Sequence, residues 1–388
     1  VHSVQLGDVA DIERNGIDPS NIVDGTLYVG LEHIEAGGRL RGVKSVTNGD
    51  LASTKFVFGP NHVLYGKLRP YLAKITAPDF HGICSTDILP ILPGPNLDRS
   101  YLTHFLRQPS MIDYAASRAE GANLPRLSPK ALAKFEIPLV PLDEQRRIAA
   151  ILDKVDQIRQ TRKKAIALLD SLTQSIFLEM FGDPVSNPMG WDESFVLSDV
   201  AEIGSGVTKG RPLRGKSTRS VPYLAVANVQ DRALKLDVVK EIEATEDEIA
   251  RYRLLKSDLL MTEGGDPDKL GRGTLWNEEL PEAIHQNHIF RVRFKDRCIN
   301  PLFANWQIGS QRGKSYFLLS AKQTTGIASI NKTQLAKFPL FLPPHELQLE
   351  FERRAAIVVA KRAISEIHMK ETNSLFASLQ HRAFSGQL

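Results

Sequence analysis

The sequence predicts an α+β protein written twice: two similar strand-rich domains joined by two long antiparallel coiled-coil helices, a tandem repeat with pseudo-two-fold symmetry. Three observations carry this expectation. The tetrapeptide LAKF occurs at 132–135 and again at 335–338. Each copy leads through a short apolar run and a proline into about 40 residues of helical pattern. Ahead of each copy lie short alternating or wholly apolar runs punctuated by Gly, Pro and Asp, the signature of strands.

Self-similarity fixes the organisation. From LAKF onward the two copies align without a gap, setting Pro141 on Pro344, Gln145 on Gln348, Val155 on Val358, Leu172 on Leu375 and Phe181 on Phe384. Upstream, LGDVADI at 6–12 resembles LSDVAEI at 197–203, and YVGLEHIE at 28–35 resembles YLAVANVQ at 223–230. ICSTDIL at 83–89 lies opposite IHQNHIF at 284–290, with insertions between these segments. Loops there tolerate changes of length, and the helical stretches do not. The expected divisions are residues 1–140 and 185–343 for the strand-rich domains, and 141–184 and 344–388 for the long helices.

Taken in chain order, VLYGKL reads as a strand of the first domain and SYLTHFLRQPSMIDYAAS as helical. Ser128 is an N-cap with Pro129 at the first helical position, so LAKF ends a short helix and EIPLVP leads out extended. The first long helix begins near Leu142, with Asp143 and Glu144 at its positive end. Its apolar seam runs Ile148, Ile151, Val155, Ile158, Ala165, Leu169, Leu172 and Ile176, a heptad pattern broken at Arg162. FGDP at 181–184 stops it. In the second domain AVANVQ, SDLLMTEGG and IFRVRF read as strands and NPLFANWQIGSQRGKSYF as helical, and Asn331 caps the second LAKF helix. The second long helix, from about 345 to 384, carries Phe351, Val358, Ile364, Ile367, Leu375 and Leu379 on a less regular seam. About 40 residues make a rod of roughly 60 Å. A seam that long has to be buried, and the partner of matching length is the other copy.

Composition narrows the class. The 388 residues are 42% hydrophobic and 24% charged, which argues against wholesale disorder. A net charge of +4 permits an acidic partner without requiring one. Two cysteines, Cys84 and Cys298, are too few for a disulfide framework and sit in no metal-ligand spacing, so a reducing, cytoplasmic location is expected. No run approaches a membrane span, the first residues show no signal-peptide pattern, and the missing initiator Met is expected to reflect trimming or a cloning scar.

GRPLRGKS at 210–217 fits the phosphate-binding pattern G-x-x-x-x-G-K-[ST] in full. That loop needs a helix after it, and Pro222 with its β-branched neighbours opposes one, so nucleotide hydrolysis is not expected. What remains is a cationic loop with Lys209, Arg211, Arg214, Lys216 and Arg219. A charge run is ordinarily a solvated face, yet a glycine-punctuated one also suits phosphates, and Arg can add base-edge contacts. The first domain has its own set in Lys67, Arg69, Lys74, Arg118, Arg126 and Lys130. The second adds Lys269, Arg272, Arg312, Lys314, Lys322 and Gln323. His285 and His288 are poorly spaced as joint metal ligands in a strand, and Asp266 with Asp268 lacks the spacing of a calcium loop. No catalytic or metal-binding residue is assigned.

The stretch PLVPLDEQRRIAAILDKVDQIRQTRKKAIALLDSLTQSIFLEMFGDP resembles the first conserved helical region of specificity (S) subunits of type I restriction–modification systems. LQHRAFSGQL resembles their chain ending, and DKLGRG, HQNHIFRVRF and INKTQLAKFPLFLPP resemble segments of their target-recognition domains. The resemblance covers nearly the whole chain: it is strong over 138–184, good over 258–345 and weaker over 1–120. In the second rod HELQ stands where the first has LDEQ, which puts duplication of the Glu144 contact in doubt.

The resemblance implies two target-recognition domains, each reading one half of a bipartite, asymmetric double-stranded DNA target. It implies that the paired helices act as spacer and as docking site for two methyltransferase (M) subunits, with restriction (R) endonuclease/translocase subunits able to join. S-adenosylmethionine, ATP and Mg then belong to partner subunits, and this chain is a non-catalytic specificity subunit without a cofactor of its own. The alternatives are the specificity subunit of a related system whose partner fuses methyltransferase and nuclease, and a coiled-coil adaptor that binds no DNA.

Overall fold

The computed structural model describes residues 2–266, 269–295, 299–324 and 327–388, so Asp268 and Cys298 lie outside the described residues. The chain divides into two compact units, Val1–Ala165 with Ser365–Leu388, and Ile166–Ile364. Two 40-residue helices, Leu142–Phe181 and His345–Phe384, are the first and second rods. Each unit holds one strand-rich region and part of each rod. The class is α+β.

In the first unit, strands Ala10–Ile12, Ile88–Pro93, Val63–Gly66 and Ile75–Thr76 form a four-stranded antiparallel sheet in that order. The second unit repeats the arrangement with Ala201–Ser205, Ile289–Phe294, Leu259–Thr262 and Gly273–Leu275. A second sheet in each unit contains a short parallel pair, Tyr28 beside Ile83 in one and Tyr223 beside Ile284 in the other. The repeat read from the sequence is thus a repeat of topology, and the loops between the strands carry the differences in length.

The rods join their domains through the same device twice. Gln145 is fully buried; its Oε1 accepts from the backbone N–H of Asp98 (2.8 Å), and its Nε2 donates to the carbonyls of Asn96 (2.9 Å) and Val140 (2.8 Å). Gln348, equally buried, accepts from the N–H of Asn300 (2.8 Å) and donates to the carbonyl of Pro343 (2.8 Å). Asp98 and Asn300 are themselves N-caps of the helices Arg99–Leu106 and Pro301–Ile308. One buried amide therefore ties the first turn of each rod to the capped end of a domain helix. The neighbouring acids differ: Glu144 pairs with Arg147, whereas Glu350 serves both Arg353 and Arg354.

Aromatic packing anchors the rod ends. In the second unit Phe177 and Phe181 of the first rod meet Phe303 of the domain and Phe351 of the second rod, with ring centroids 4.7–5.8 Å apart. In the first unit Phe384 of the second rod meets Tyr101 (4.9 Å) and Phe105 (5.6 Å), and Gln380 donates to the carbonyl of His104. Each fully buried Phe contributes about 1.5–3 kcal/mol by burial alone.

The rods run antiparallel where they meet. In the first unit Arg159 donates to Asn373 Oδ1 (2.8 Å) and stacks over Phe376 (4.4 Å), while Arg162 donates to Thr372 Oγ1 (2.7 Å) and to the carbonyl of His368. In the second unit Arg362 pairs with Asp170 (2.5 Å) and Arg354 with Glu179 (3.9 Å). Burial traces the first rod's seam as Leu152, Val155, Arg159, Arg162, Ile166, Leu169, Thr173 and Ile176. The apolar heptad expected above shares Val155, Leu169 and Ile176 with it and is one residue off at the alternate positions. Ile158 and Leu172 (41% exposed) face solvent, Ile151 is only half-buried, and the polar Arg159 and Thr173 take the inward places.

In the second rod Phe351 and Val358 are buried and Leu379 half-buried, but Ile364 (53%) and Leu375 (51%) are exposed. Hydrophobicity misplaced these residues because the middle of the seam is closed by hydrogen bonds rather than by apolar contact.

Replacing Gln348 by Leu is expected to strand the N–H of Asn300 and the carbonyl of Pro343 and to cost about 1–3 kcal/mol. Thermal denaturation checks this, and an unchanged Tm would show that the amide is no tie.

Candidate nucleic-acid interface

Six cations of the first domain fall in one neighbourhood. The strands Val63–Gly66 and Ile75–Thr76 are joined by loop 67–74, which is stitched to a downstream hairpin. The N–H of Leu127 donates to the carbonyl of Lys67 (2.9 Å), the N–H of Arg69 to Pro125 (2.7 Å), and Glu120 and Arg126 exchange both backbone bonds. Gly121, at φ +110°, makes that hairpin turn. Beneath the junction the Asp87 carboxylate takes Arg126 Nε (3.0 Å) and faces Lys67 Nζ (3.9 Å).

The cations differ in what they have left to offer. Lys67 and Arg126 are occupied by Asp87, and Lys74 Nζ donates to the carbonyl of Leu31 (2.6 Å). Arg118 lies over Tyr114 (5.1 Å). Arg69 and Lys130 are exposed and make no side-chain hydrogen bond or ion pair among the described residues. Asp87 was not identified from the sequence; the hint was the lone charge in GICSTDILPIL.

The second unit builds the same platform with other residues. Loop 263–272 joins Leu259–Thr262 to Gly273–Leu275, and Gly264–Gly265 pairs with Ile327–Ser329, which pairs with Lys322–Thr324. The N–H of Ile330 donates to Glu263, closing the junction as Leu127 does in the first unit. Lys269 is paired with Asp266, Arg272 reaches Gln230 (3.4 Å), and Lys322 is exposed on its strand. Gln323 belongs to that strand, and its side chain lies outside what is described. Lys314 is exposed on the helix Gln311–Ser320, where Leu319 is 89% exposed. Arg312 is engaged elsewhere, holding the segment after the first rod through Glu193 (2.7 Å) and the carbonyl of Pro184 (3.2 Å).

The 209–219 loop divides likewise. Arg211 grips Glu248 through two bonds (2.5 and 2.6 Å), and Arg219 is shared between Glu246 (2.6 Å) and Glu282 (2.7 Å). The bond from Arg211 is the main reason the Glu248 carboxyl is held down to about 2, against the opposing effect of burial. These two arginines shape the loop. Lys209, Arg214 and Lys216 are exposed and make no side-chain hydrogen bond or close ion pair among the described residues, though Lys216 adds to the field that holds the Glu248 carboxyl down. Strand Arg219–Leu224 follows the loop, so no helix end faces Lys216 as a phosphate-binding loop would require.

Other reactive groups are occupied or masked. His285 is buried, its pKa pushed down to about 4 by desolvation and then by Arg291, while His288 pairs with Glu263 on the surface. Burial pushes the Cys84 thiol up to about 12. Among the described residues no cluster of His, Cys, Asp and Glu forms a metal site, and no helix is long and apolar enough to cross a membrane.

Residues 1–168 match the family model described as the type I restriction modification DNA specificity domain. The specificity subunit of the type I restriction enzyme EcoDI from Escherichia coli is 30% identical over 182 residues, 46% of this chain and 40% of that subunit. The StySPI specificity subunit from Salmonella potsdam is 22% identical over 312 residues, covering 76% of this chain and 67% of its own length. The matches therefore span from under half to about two thirds of these relatives. A chain from a structure of the assembly and conformational transition of a type I system superposes with a TM-score of 0.63 at 22% identity, over 100% of this chain and 98% of that one.

Replacing Arg211 by Ala is expected to lower Tm near neutral pH. The loss should shrink as pH falls from the ordinary carboxylate range toward about 2, because the depressed Glu248 carboxyl stabilises the fold only while ionised. Replacing Arg214 and Lys216 together should leave Tm in place and flatten the salt dependence of any DNA binding, with a slope smaller by up to about two. Differential scanning calorimetry and duplex titration over a salt series separate the two outcomes.

Proposed function

We propose that this chain is a specificity subunit of the type I restriction–modification kind, and that it reads a split, asymmetric duplex DNA target, one half with each strand-rich domain. The observation that carries the reading is the repeated platform. Both units join two paired strands by a loop and stitch that loop to a downstream hairpin; Arg69 is exposed on the loop in one and Lys322 on the hairpin in the other, with Lys130 and Lys314 exposed on the helices Pro129–Ala133 and Gln311–Ser320. Cations without internal partners are free to displace counterions from phosphates, and Arg can also address base edges.

The rods act as spacer and as docking surface for two methyltransferase subunits, with restriction subunits joining the complex. Apolar residues turned away from the seam, among them Leu168, Leu172, Ile357, Val359, Ile364 and Leu375, supply contact area for such partners. Methyl transfer and cleavage, with S-adenosylmethionine, ATP and Mg, are assigned to those subunits. This chain contributes the choice of sequence.

A spacer of paired helices sets a length that can be edited. Inserting one heptad into each rod, after Lys164 and after Ser365, keeps the seam in register and adds roughly 10 Å. At about 3.4 Å per base pair the gap between half-sites is expected to grow by about three pairs, with both half-site sequences unchanged. Selection from a random duplex pool reads both quantities, and an unchanged gap would reject the spacer.

A further inference from the structure

We infer that Arg69 is the base-reading residue of the first domain, aimed at the edge of a guanine in its half-site; this rests on the DNA-recognition reading above. Loop 67–74 is held from several sides. The N–H of Lys67 donates to Asp87 (2.9 Å), that of Arg69 to Pro125 (2.7 Å), and Lys74 ties the far end to Leu31. Between these ties Arg69 (φ 51°) and Ala73 (φ 50°) are both left-handed, a region that side-chain-bearing residues rarely adopt. Strain retained at two positions of one short loop marks a segment whose shape is set before any ligand arrives.

The fixed loop presents a specific set of groups. The 3₁₀ turn Pro70–Leu72 carries Tyr71 (53% exposed) and Leu72, and packs against the helix Pro109–Ser117, whose Tyr114 is exposed. Leu124 is exposed one residue before Pro125, which receives Arg69. Apolar surface beside an unpaired guanidinium suits base edges and thymine methyls better than a phosphate, which is served by hydrated lysines. Lys67, Lys74 and Arg126 have partners already and Arg118 is laid over the Tyr114 ring, so on the fixed loop itself Arg69 is the arginine, with its fork unoccupied among the described residues. That fork matches the O6 and N7 acceptors of guanine in the major groove.

The test uses the full chain and a random duplex pool, followed by titration of the selected duplex and its single-pair variants. Wild-type protein is expected to demand a G·C pair at one position of one half-site. Arg69→Ala should reduce that demand by roughly 5- to 150-fold while the other half-site stays as it was. Arg69→Lys should keep the salt slope and still fail to restore the demand, because a point charge cannot make the paired bonds. An unchanged Tm verifies that both variants fold. Uniform weakening on every duplex would make Arg69 a phosphate contact, and no change would make it a solvated side chain; either overturns the inference alone. If wild-type protein selects no split sequence, the DNA-recognition reading falls, and the inference with it.

Discussion

A forty-residue helix has to cover its inward stripe along its whole length, and most of this structure follows from how that is done. Isolated helices are marginal in water and gain stability by packing. In each unit the stripe is covered by two neighbours: the strand-rich region at the rod ends and the other rod beyond it. The aromatic cluster of Phe177, Phe181, Phe303 and Phe351 fastens one such junction, and Phe384 with Tyr101 and Phe105 fastens the other. The buried amides of Gln145 and Gln348 fix where each rod starts against its domain. Insertions in the strand-rich parts leave these junctions untouched, which explains why the two copies drift upstream of LAKF and align without a gap after it.

The cations fall into two populations, distinguished by their partners rather than by their place in the sequence. Arg211, Arg219, Arg312 and Arg126 spend their forks on acids and carbonyls and so define loop shape. Arg69, Lys130, Arg214, Lys216 and Lys322 sit beside them with side chains in solvent. A loop of like charges would repel itself unless part of the charge were neutralised internally. The paired arginines thus hold the unpaired cations in a defined arrangement.

Much of the fold was legible in the sequence because it rests on local signals. Ser128 and Asn331 cap their helices as their spacing indicates, accepting from Ala131 (3.1 Å) and Gln334 (2.9 Å). Both rods show as long periodic runs. Their seam was only half legible, since a period drawn through apolar residues selects Ile158 and Leu172, while the contact is made through Arg159 and Thr173. The candidate interface was legible as a set of basic residues but not as a site. The acids that engage Arg211, Arg219 and Arg312 are Glu248, Glu282 and Glu193, each distant along the chain. Nothing short of the fold reveals which cations they occupy.

The guanidinium groups of Arg159 and Arg162 inside the seam have a consequence for chain identity. A purely apolar stripe accepts almost any similar helix, including the same rod from a second molecule, and tandem repeats are exposed to that exchange. Here a foreign or slipped mate has to offer an amide oxygen, a hydroxyl and a carbonyl at the places where Asn373, Thr372 and His368 offer them, or leave Arg162 unsatisfied and Arg159 with its own-helix partner Asp156 alone. The seam gives up some adhesion to become a lock with few keys, so a rod from a second molecule makes a poorer mate than the chain's own.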